Sequence, residues 1–113
     1  MRTVLLVDDD PMVVNVIAGM LLDLGCEVVV STSADEALEK LRANRAINLL
    51  ITDINMPEVS GHELADRAGR LRADLQMILL SGREGDGRGL PLLRKPFYED
   101  DLARVMEKTG RAC

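Results

Sequence analysis

The stretch "LLITDINMPEVSG" at residues 49–61 says most about the fold of this chain. Apolar and β-branched residues lead into an aspartate, Asp53, and then come Asn55, a methionine and a proline. Such a run, bounded by turn residues, is typical of a strand that is buried on both faces of a sheet. A carboxylate at the end of that strand contributes little to packing. We therefore expect Asp53 to serve chemistry where the strand ends.

Similar apolar runs recur along the chain and alternate with helical patterns. The apolar runs predict strands at 3–7, 26–31, 47–52, 75–81 and 90–93. Helix starts are predicted at Asp10 with Pro11, at "SADE" (33–36), at "SGHE" (60–63) and at about Glu99, the last helix running to Lys108. This alternation predicts an α/β fold, a doubly wound parallel sheet with helices on both faces, in one domain over residues 1–113.

Composition narrows the classes of function. The chain has 113 residues and a formal net charge of −5, which disfavours direct binding to nucleic acid. Cys26 and Cys113 form neither a disulfide framework nor a metal-binding spacing. No apolar run is long enough to span a membrane, and the amino terminus does not look like a signal peptide. We expect a cytoplasmic protein without membrane contact.

The segment "SGREGDGRG" (81–89) interrupts the alternation. It holds four of the nine glycines and no apolar residue, although a helix belongs between the fourth and fifth strands. Each glycine costs about 1 kcal/mol in a helix relative to alanine, and nothing in the segment could bury a helical face. The helix at this place is therefore predicted to be shortened or replaced by a loop.

Polar residues gather at the carboxyl ends of the predicted strands, where open parallel sheets carry their sites. Asp8 and Asp9 follow the first strand, Asp53 ends the third, Ser81 ends the fourth and Lys95 follows the fifth. Clustered carboxylates favour a hard divalent cation such as Mg²⁺, which also binds phosphate oxygens. A carboxylate nucleophile, a divalent cation, an ammonium group and a hydroxyl suit phosphoryl transfer to an aspartate.

Four motifs occur in order, each at a strand end: "LLVDDDP", "LLITDINMPEVSG", "LLSG" and "LRKPF". Together they make the chain resemble the receiver domain of two-component response regulators over essentially its whole length. The resemblance implies a flavodoxin-like receiver fold with five parallel strands in the order 2-1-3-4-5. It also implies that Asp53 accepts a phosphoryl group from a histidine kinase or a histidine phosphotransfer protein, and that the domain assists its own phosphorylation and dephosphorylation without being an enzyme.

The resemblance assigns roles to further residues. Asp8 and Asp9 match the acidic pair that binds Mg²⁺ together with Asp53, and Asn55 matches the residue whose backbone carbonyl joins the metal. Ser81, followed by Gly82, matches the hydroxyl switch residue, and Lys95 matches the lysine of the pattern. The Lys95–Pro96 peptide bond is expected to be cis.

The chain departs from the family pattern between Ser81 and Lys95, which lie 14 residues apart, several fewer than is usual. Leu92 stands where an aromatic switch residue is common. The segment resembles a subgroup of short receivers in which a flexible loop replaces the fourth helix. We hypothesise that phosphorylation orders residues 82–90, and that Arg83 influences how fast the phosphoryl group is lost.

Two other functions stay open from sequence. One is a pseudo-receiver, a binding scaffold that is never phosphorylated. The other is a small phosphohydrolase with an aspartate nucleophile, although such enzymes carry a second aspartate where this chain has Asn55. The kinase, the downstream protein partner, and whether the receiver stands alone or belongs to a larger regulator are not readable from the sequence.

Overall fold

A computed structural model describes residues 2–56, 58–82 and 89–109. It contains one parallel sheet with the strand order β2-β1-β3-β4-β5, as expected. The strands are β1 (Thr3–Val7), β2 (Glu27–Ser31), β3 (Leu49–Asp53), β4 (Gln76–Ser81) and β5 (Leu92–Arg94). Because all five run in the same direction, their carboxyl ends share one edge of the sheet.

In the described part of the chain, four helices cover the two faces of the sheet. They are α1 (Pro11–Asp23), α2 (Ala34–Ala43), α3 (Gly61–Leu71) and α4 (Glu99–Thr109). Residues of α1 and α4 form one hydrophobic cluster with the sheet, and residues of α2 and α3 form the other. The prediction of a doubly wound α/β fold is confirmed.

The first three helices begin at the capping residues that the sequence indicates. The Asp10 side chain accepts a hydrogen bond from the Met12 N–H at 2.9 Å. Ser33 and Ser60 likewise accept the N–H groups three residues further on, each at 3.2 Å. These bonds satisfy N–H groups that have no partner within the helix. Each helix start is thereby fixed relative to the strand end before it.

The core is aliphatic and lies on both sides of β1 and β3, whose residues are all buried. Leu5 and Leu50 pack towards α2 and α3, whereas Leu6 and Ile51 pack towards α1 and α4. Burying each such side chain contributes about 1.5–3 kcal/mol to stability. The two central strands are therefore well held, and so are the residues at their carboxyl ends.

Two strands, β3 and β5, start two residues later than predicted, and the other strand boundaries agree to within one residue. β3 begins at Leu49, because Ile47 is buried without belonging to the strand and the Asn48 side chain accepts the Thr3 N–H at 3.2 Å. β5 covers Leu92–Arg94 instead of 90–93. Apolar patterns report burial, and burial begins before the first paired residue.

Residues 83–88 lie outside the described part of the chain, so the prediction of a missing or shortened helix between β4 and β5 stays a prediction. The same holds for the hypotheses on Arg83 and on ordering of residues 82–90. Gly82 and residues 89–91, which are described, are not helical. Across the described ranges, no helix is both long and apolar enough to cross a membrane.

Candidate functional site

Three carboxylates meet at the carboxyl edge of the sheet. Asp8 and Asp9 follow β1, and Asp53 is the last residue of the neighbouring strand β3. One carboxylate oxygen from each residue lies within 4.8 Å of those of the other two. Asp8 and Asp53 are buried and Asp9 is exposed. The sequence prediction that these three side chains share one cleft is confirmed.

Lys95 reaches the same cleft from the loop after β5. Its Nζ lies 3.2 Å from Asp8 Oδ2 and 3.4 Å from Asp53 Oδ1. The Lys95 N–H donates to the Ser81 carbonyl at 2.7 Å, and the Lys95–Pro96 peptide bond is cis, as expected. Among the described residues, one ammonium group faces three carboxylates, which leaves a formal excess of two negative charges.

Backbone N–H groups hold Asp8 in place. The Asp10 N–H donates to Asp8 Oδ1 at 3.0 Å, and the Asp8 N–H donates to the Ser31 carbonyl at 3.3 Å. Asp10 is therefore more than a helix cap, because its side chain starts α1 while its backbone fixes the carboxylate of Asp8.

The pKa of the Asp53 carboxyl is raised above its ordinary value, mainly because burial disfavours the charged form. The Asp8 carboxylate raises it further, whereas the Lys95 ammonium and a hydrogen bond from the Asn55 backbone N–H lower it. The Asp53 carboxylate thus lies between groups that oppose its negative charge and groups that stabilise it.

The turn after Asp53 depends on Gly61, a residue whose role the sequence reading missed. A Cβ atom on Gly61 would lie 2.3 Å from the Asp53 carbonyl oxygen and 2.8 Å from Ile54 Cα. Thr52 was missed as well, and its buried hydroxyl donates to the same carbonyl oxygen at 3.1 Å. One feature of the sequence could have indicated the role of Gly61. It is a glycine in the first turn of a predicted helix, where glycine weakens the helix and therefore needs a structural reason.

The other predicted residues are placed as follows. Ser81 is buried at the end of β4, and Gly82 follows it in an exposed position. Leu92 is the half-buried first residue of β5 and pairs with Leu79. Pro96 is exposed beside Lys95.

The donor set fits Mg²⁺. Carboxylate oxygens are the ligands that this ion prefers. One oxygen each from Asp8, Asp9 and Asp53 lies within 4.8 Å of the other two, so these three side chains could bind one divalent cation together. The excess negative charge of the described residues in this cleft also favours binding of a cation.

An apolar depression of about 310 Å³ borders Lys95. Its lining includes Met12, Val16 and Met20 of α1 together with Phe97. Met12 and Val16 are largely exposed. The acidic cleft thus has an apolar surface beside it.

Comparison with known proteins agrees with this geometry. The family model described as response regulator receiver domain matches residues 4–106. The chain belongs to this family. It is 33% identical to the response regulator receiver protein CpdR of Brucella abortus, over 96% of each protein. It is 35% identical to the two-component response regulator ARR14 of Arabidopsis thaliana, but the match covers 96% of this chain and only 31% of that relative.

Solved receiver structures have the same fold. The chemotaxis protein CheY4 of Vibrio cholerae matches with a TM-score of 0.90 at 26% identity, over 97% of this chain and 99% of that one. The response regulator TrrA of Thermotoga maritima matches with a TM-score of 0.88 at 28% identity, over 97% of this chain and all of that one. The TrrA structure is a complex with Mg²⁺ and BeF.

Proposed function

We propose that this receiver domain carries a signal by reversible phosphorylation of Asp53, with Mg²⁺ as the cofactor. The observation that carries the proposal is the position of Lys95 Nζ, 3.2 Å from Asp8 and 3.4 Å from Asp53, next to three carboxylates within 4.8 Å of one another. One ammonium group and one divalent cation would neutralise this cluster and leave the Asp53 carboxylate free to attack. The family membership supports the same reading.

In the proposed reaction, a carboxylate oxygen of Asp53 forms a bond to phosphorus while the phosphorus–nitrogen bond of a phosphohistidine breaks. The imidazole of the donor leaves with the electron pair of that bond. Asp8, Asp9, Asp53 and the backbone carbonyl of Asn55 would hold Mg²⁺, which supplies positive charge to the phosphoryl oxygens when bound. Lys95 would place its ammonium group against another phosphoryl oxygen, and Ser81 would donate its hydroxyl hydrogen to the product.

The proposed donor is a histidine kinase or a histidine phosphotransfer protein. The apolar depression beside Lys95 supports a protein donor, since such a partner has to pack against the domain next to Asp53. Val16→Asp, on the exposed part of this depression, should slow transfer from a protein donor and leave transfer from acetyl phosphate unchanged. Equal slowing with both donors would count against docking at this place.

We further propose that the phosphorylated domain changes conformation and binds an unidentified downstream protein in the cytoplasm, where ATP supplies phosphoryl groups. In this view the domain assists its own phosphorylation and dephosphorylation but has no separate substrate to turn over. Asn55, in place of a second aspartate, supports that view over a phosphohydrolase. Measurable turnover of p-nitrophenyl phosphate would support the hydrolase instead.

The deciding experiment is intact mass spectrometry after incubation with acetyl phosphate. The wild-type protein should gain one phosphoryl group in the presence of Mg²⁺ and none in its absence, and Asp53→Asn should gain none. A wild-type protein that binds Mg²⁺ but stays unmodified with acetyl phosphate and with kinases would be a pseudo-receiver, and the proposal would fail.

A further inference from the structure

Two residues outside the acidic cluster converge on a single atom, the carbonyl oxygen of Asp53. The Thr52 hydroxyl donates to it at 3.1 Å from a fully buried position. The Cα of Gly61 lies so close that a Cβ there would be 2.3 Å from the same oxygen. This carbonyl belongs to the residue whose carboxylate is the proposed phosphoryl acceptor.

The helix side of this contact is held at more points than the strand side. The Gly61 N–H donates to the Ile54 carbonyl at 2.8 Å, which closes the turn between β3 and α3. Leu64 and Ala68 anchor α3 in the core, and both have no exposed surface. The Ile54 N–H donates to the Leu80 carbonyl at 2.9 Å and ties the start of the turn to β4.

A side chain at position 61 therefore has to displace the Asp53 peptide. Ordinary contacts of a Cβ atom begin near 3.4 Å, so an alanine requires a shift on the order of 1 Å. The helix is anchored by its buried face, whereas Asp53 is the last residue of its strand. The shift should fall mainly on Asp53 and move its carboxylate along with its backbone.

We propose that Gly61 and Thr52 are positioning residues, which fix the Asp53 carboxylate relative to Asp8 and Lys95. The kinetic part of this inference rests on the proposed function, because it supposes that Asp53 is the reacting group. A misplacement on the order of 1 Å can slow a positioned reaction about 100-fold. The inference thus assigns a role in phosphoryl transfer to two uncharged residues that act through the backbone of Asp53.

The main test compares Gly61→Ala with Gly69→Ala. Both substitutions add one methyl group to α3, but a Cβ on Gly69 meets only the flexible end of Met77, at 3.3 Å. At saturating Mg²⁺ and acetyl phosphate, Gly61→Ala should be phosphorylated roughly 10- to 100-fold more slowly than wild type. Gly69→Ala should stay within about twofold of the wild-type rate.

Crystal structures of the two variants test the same inference without measuring a phosphorylation rate. In Gly61→Ala, the distance from Asp53 Oδ1 to Lys95 Nζ, 3.4 Å in the wild-type protein, should change by on the order of 1 Å. The distance from Lys95 Nζ to Asp8 Oδ2 should stay near 3.2 Å. A variant in which α3 moves and the Asp53 carboxylate does not would overturn the inference.

Thr52→Val and Thr52→Ser together test whether the Thr52 hydroxyl helps to position Asp53. This pair of variants decides whether the inference holds if Gly61→Ala does not fold. Valine keeps the volume of threonine and loses the donor, whereas serine keeps the donor. Loss of one hydrogen bond should slow phosphorylation roughly 3- to 10-fold in Thr52→Val, and Thr52→Ser should recover the wild-type rate to within about twofold. Equal rates in the two variants would remove Thr52 from the inference.

The outcomes separate the two proposals. If wild type and Gly61→Ala accept the phosphoryl group at equal rates, the positioning role fails and the proposed function stands. If wild type accepts none, the proposed function fails, and the crystal structures still decide whether Gly61 sets the place of the Asp53 carboxylate.

Discussion

Replacing Lys95 with methionine should destabilise the metal-free protein strongly. Methionine keeps most of the side-chain length, so the change removes mainly the ammonium group that lies between two buried carboxylates. At an effective dielectric constant near 20, attractions over 3.2 and 3.4 Å are worth about 5 kcal/mol each. The desolvation of the three charged groups opposes this gain, so the sum of the two attractions is an upper bound.

Breaking a buried ion pair by removing one partner costs about 3–5 kcal/mol. The Lys95 side chain is 23% exposed, which places the expected loss near the lower end, at about 3 kcal/mol. For a domain of this size, that loss lowers the melting temperature by about 12 °C. Mg²⁺ should restore much of it, because the cation replaces the missing positive charge beside Asp8 and Asp53.

Urea unfolding at pH 7, followed by far-ultraviolet circular dichroism, measures both effects, with and without Mg²⁺. Lys108→Met is the matched control, because Lys108 is an exposed lysine of α4. It should stay within about 0.5 kcal/mol of wild type. A Lys95→Met protein as stable as that control without Mg²⁺ would refute the claim that Lys95 compensates the charge of the two carboxylates.

Three further predictions concern pH, a helix interior and a helix cap. Burial raises the pKa of Asp53 in the folded protein, so the metal-free wild type should lose stability as the pH rises from 3.8 through that pKa. Urea unfolding midpoints measured across this pH range should fall less steeply for Asp53→Asn. Equal pH dependence of the midpoint in the two proteins would contradict the raised pKa. A Cβ atom on Gly19 of α1 would meet no atom within 4 Å, so Gly19→Ala should raise the free energy of unfolding by about 0.5–1 kcal/mol. A lower free energy of unfolding would reveal a contact at that surface. Asp10→Ala removes the acceptor of the Met12 N–H and should cost about 1 kcal/mol, with Asp10→Asn close to wild type; equal losses in both would show that charge, not capping, matters.

The fold was largely predictable because the helix-capping residues and the apolar strand patterns are clear in the sequence. The capping residues Asp10, Ser33 and Ser60 start their helices where expected, and apolar runs mark every strand. Strand ends were less predictable, as Ile47 shows. It is buried like a strand residue but lies before the first paired position, and hydrophobicity alone cannot tell pairing from burial.

The site was predictable at the level of which side chains meet, because parallel strands bring their carboxyl ends to one edge. The motifs placed Asp8, Asp9, Asp53 and Lys95 in one cleft, and the structure brings them together. The backbone contact of Gly61 with Asp53 was not predictable, since it depends on how closely α3 packs against the end of β3. No spacing in the sequence expresses a distance of that kind.

The acidic cleft lies at the carboxyl ends of the strands, and the amino ends of the same strands lie at the opposite edge of the sheet. The turns around Leu24, Arg45 and Ala73 lie at the amino ends of β2, β3 and β4. A five-residue strand spans about 17 Å, so these turns are remote from the carboxylates. A fluorescent reporter or a new pair of chain ends at the exposed residues Ala73 and Asp74 should leave the acidic cleft undisturbed. This receiver could therefore be built into a biosensor from the opposite edge of its sheet.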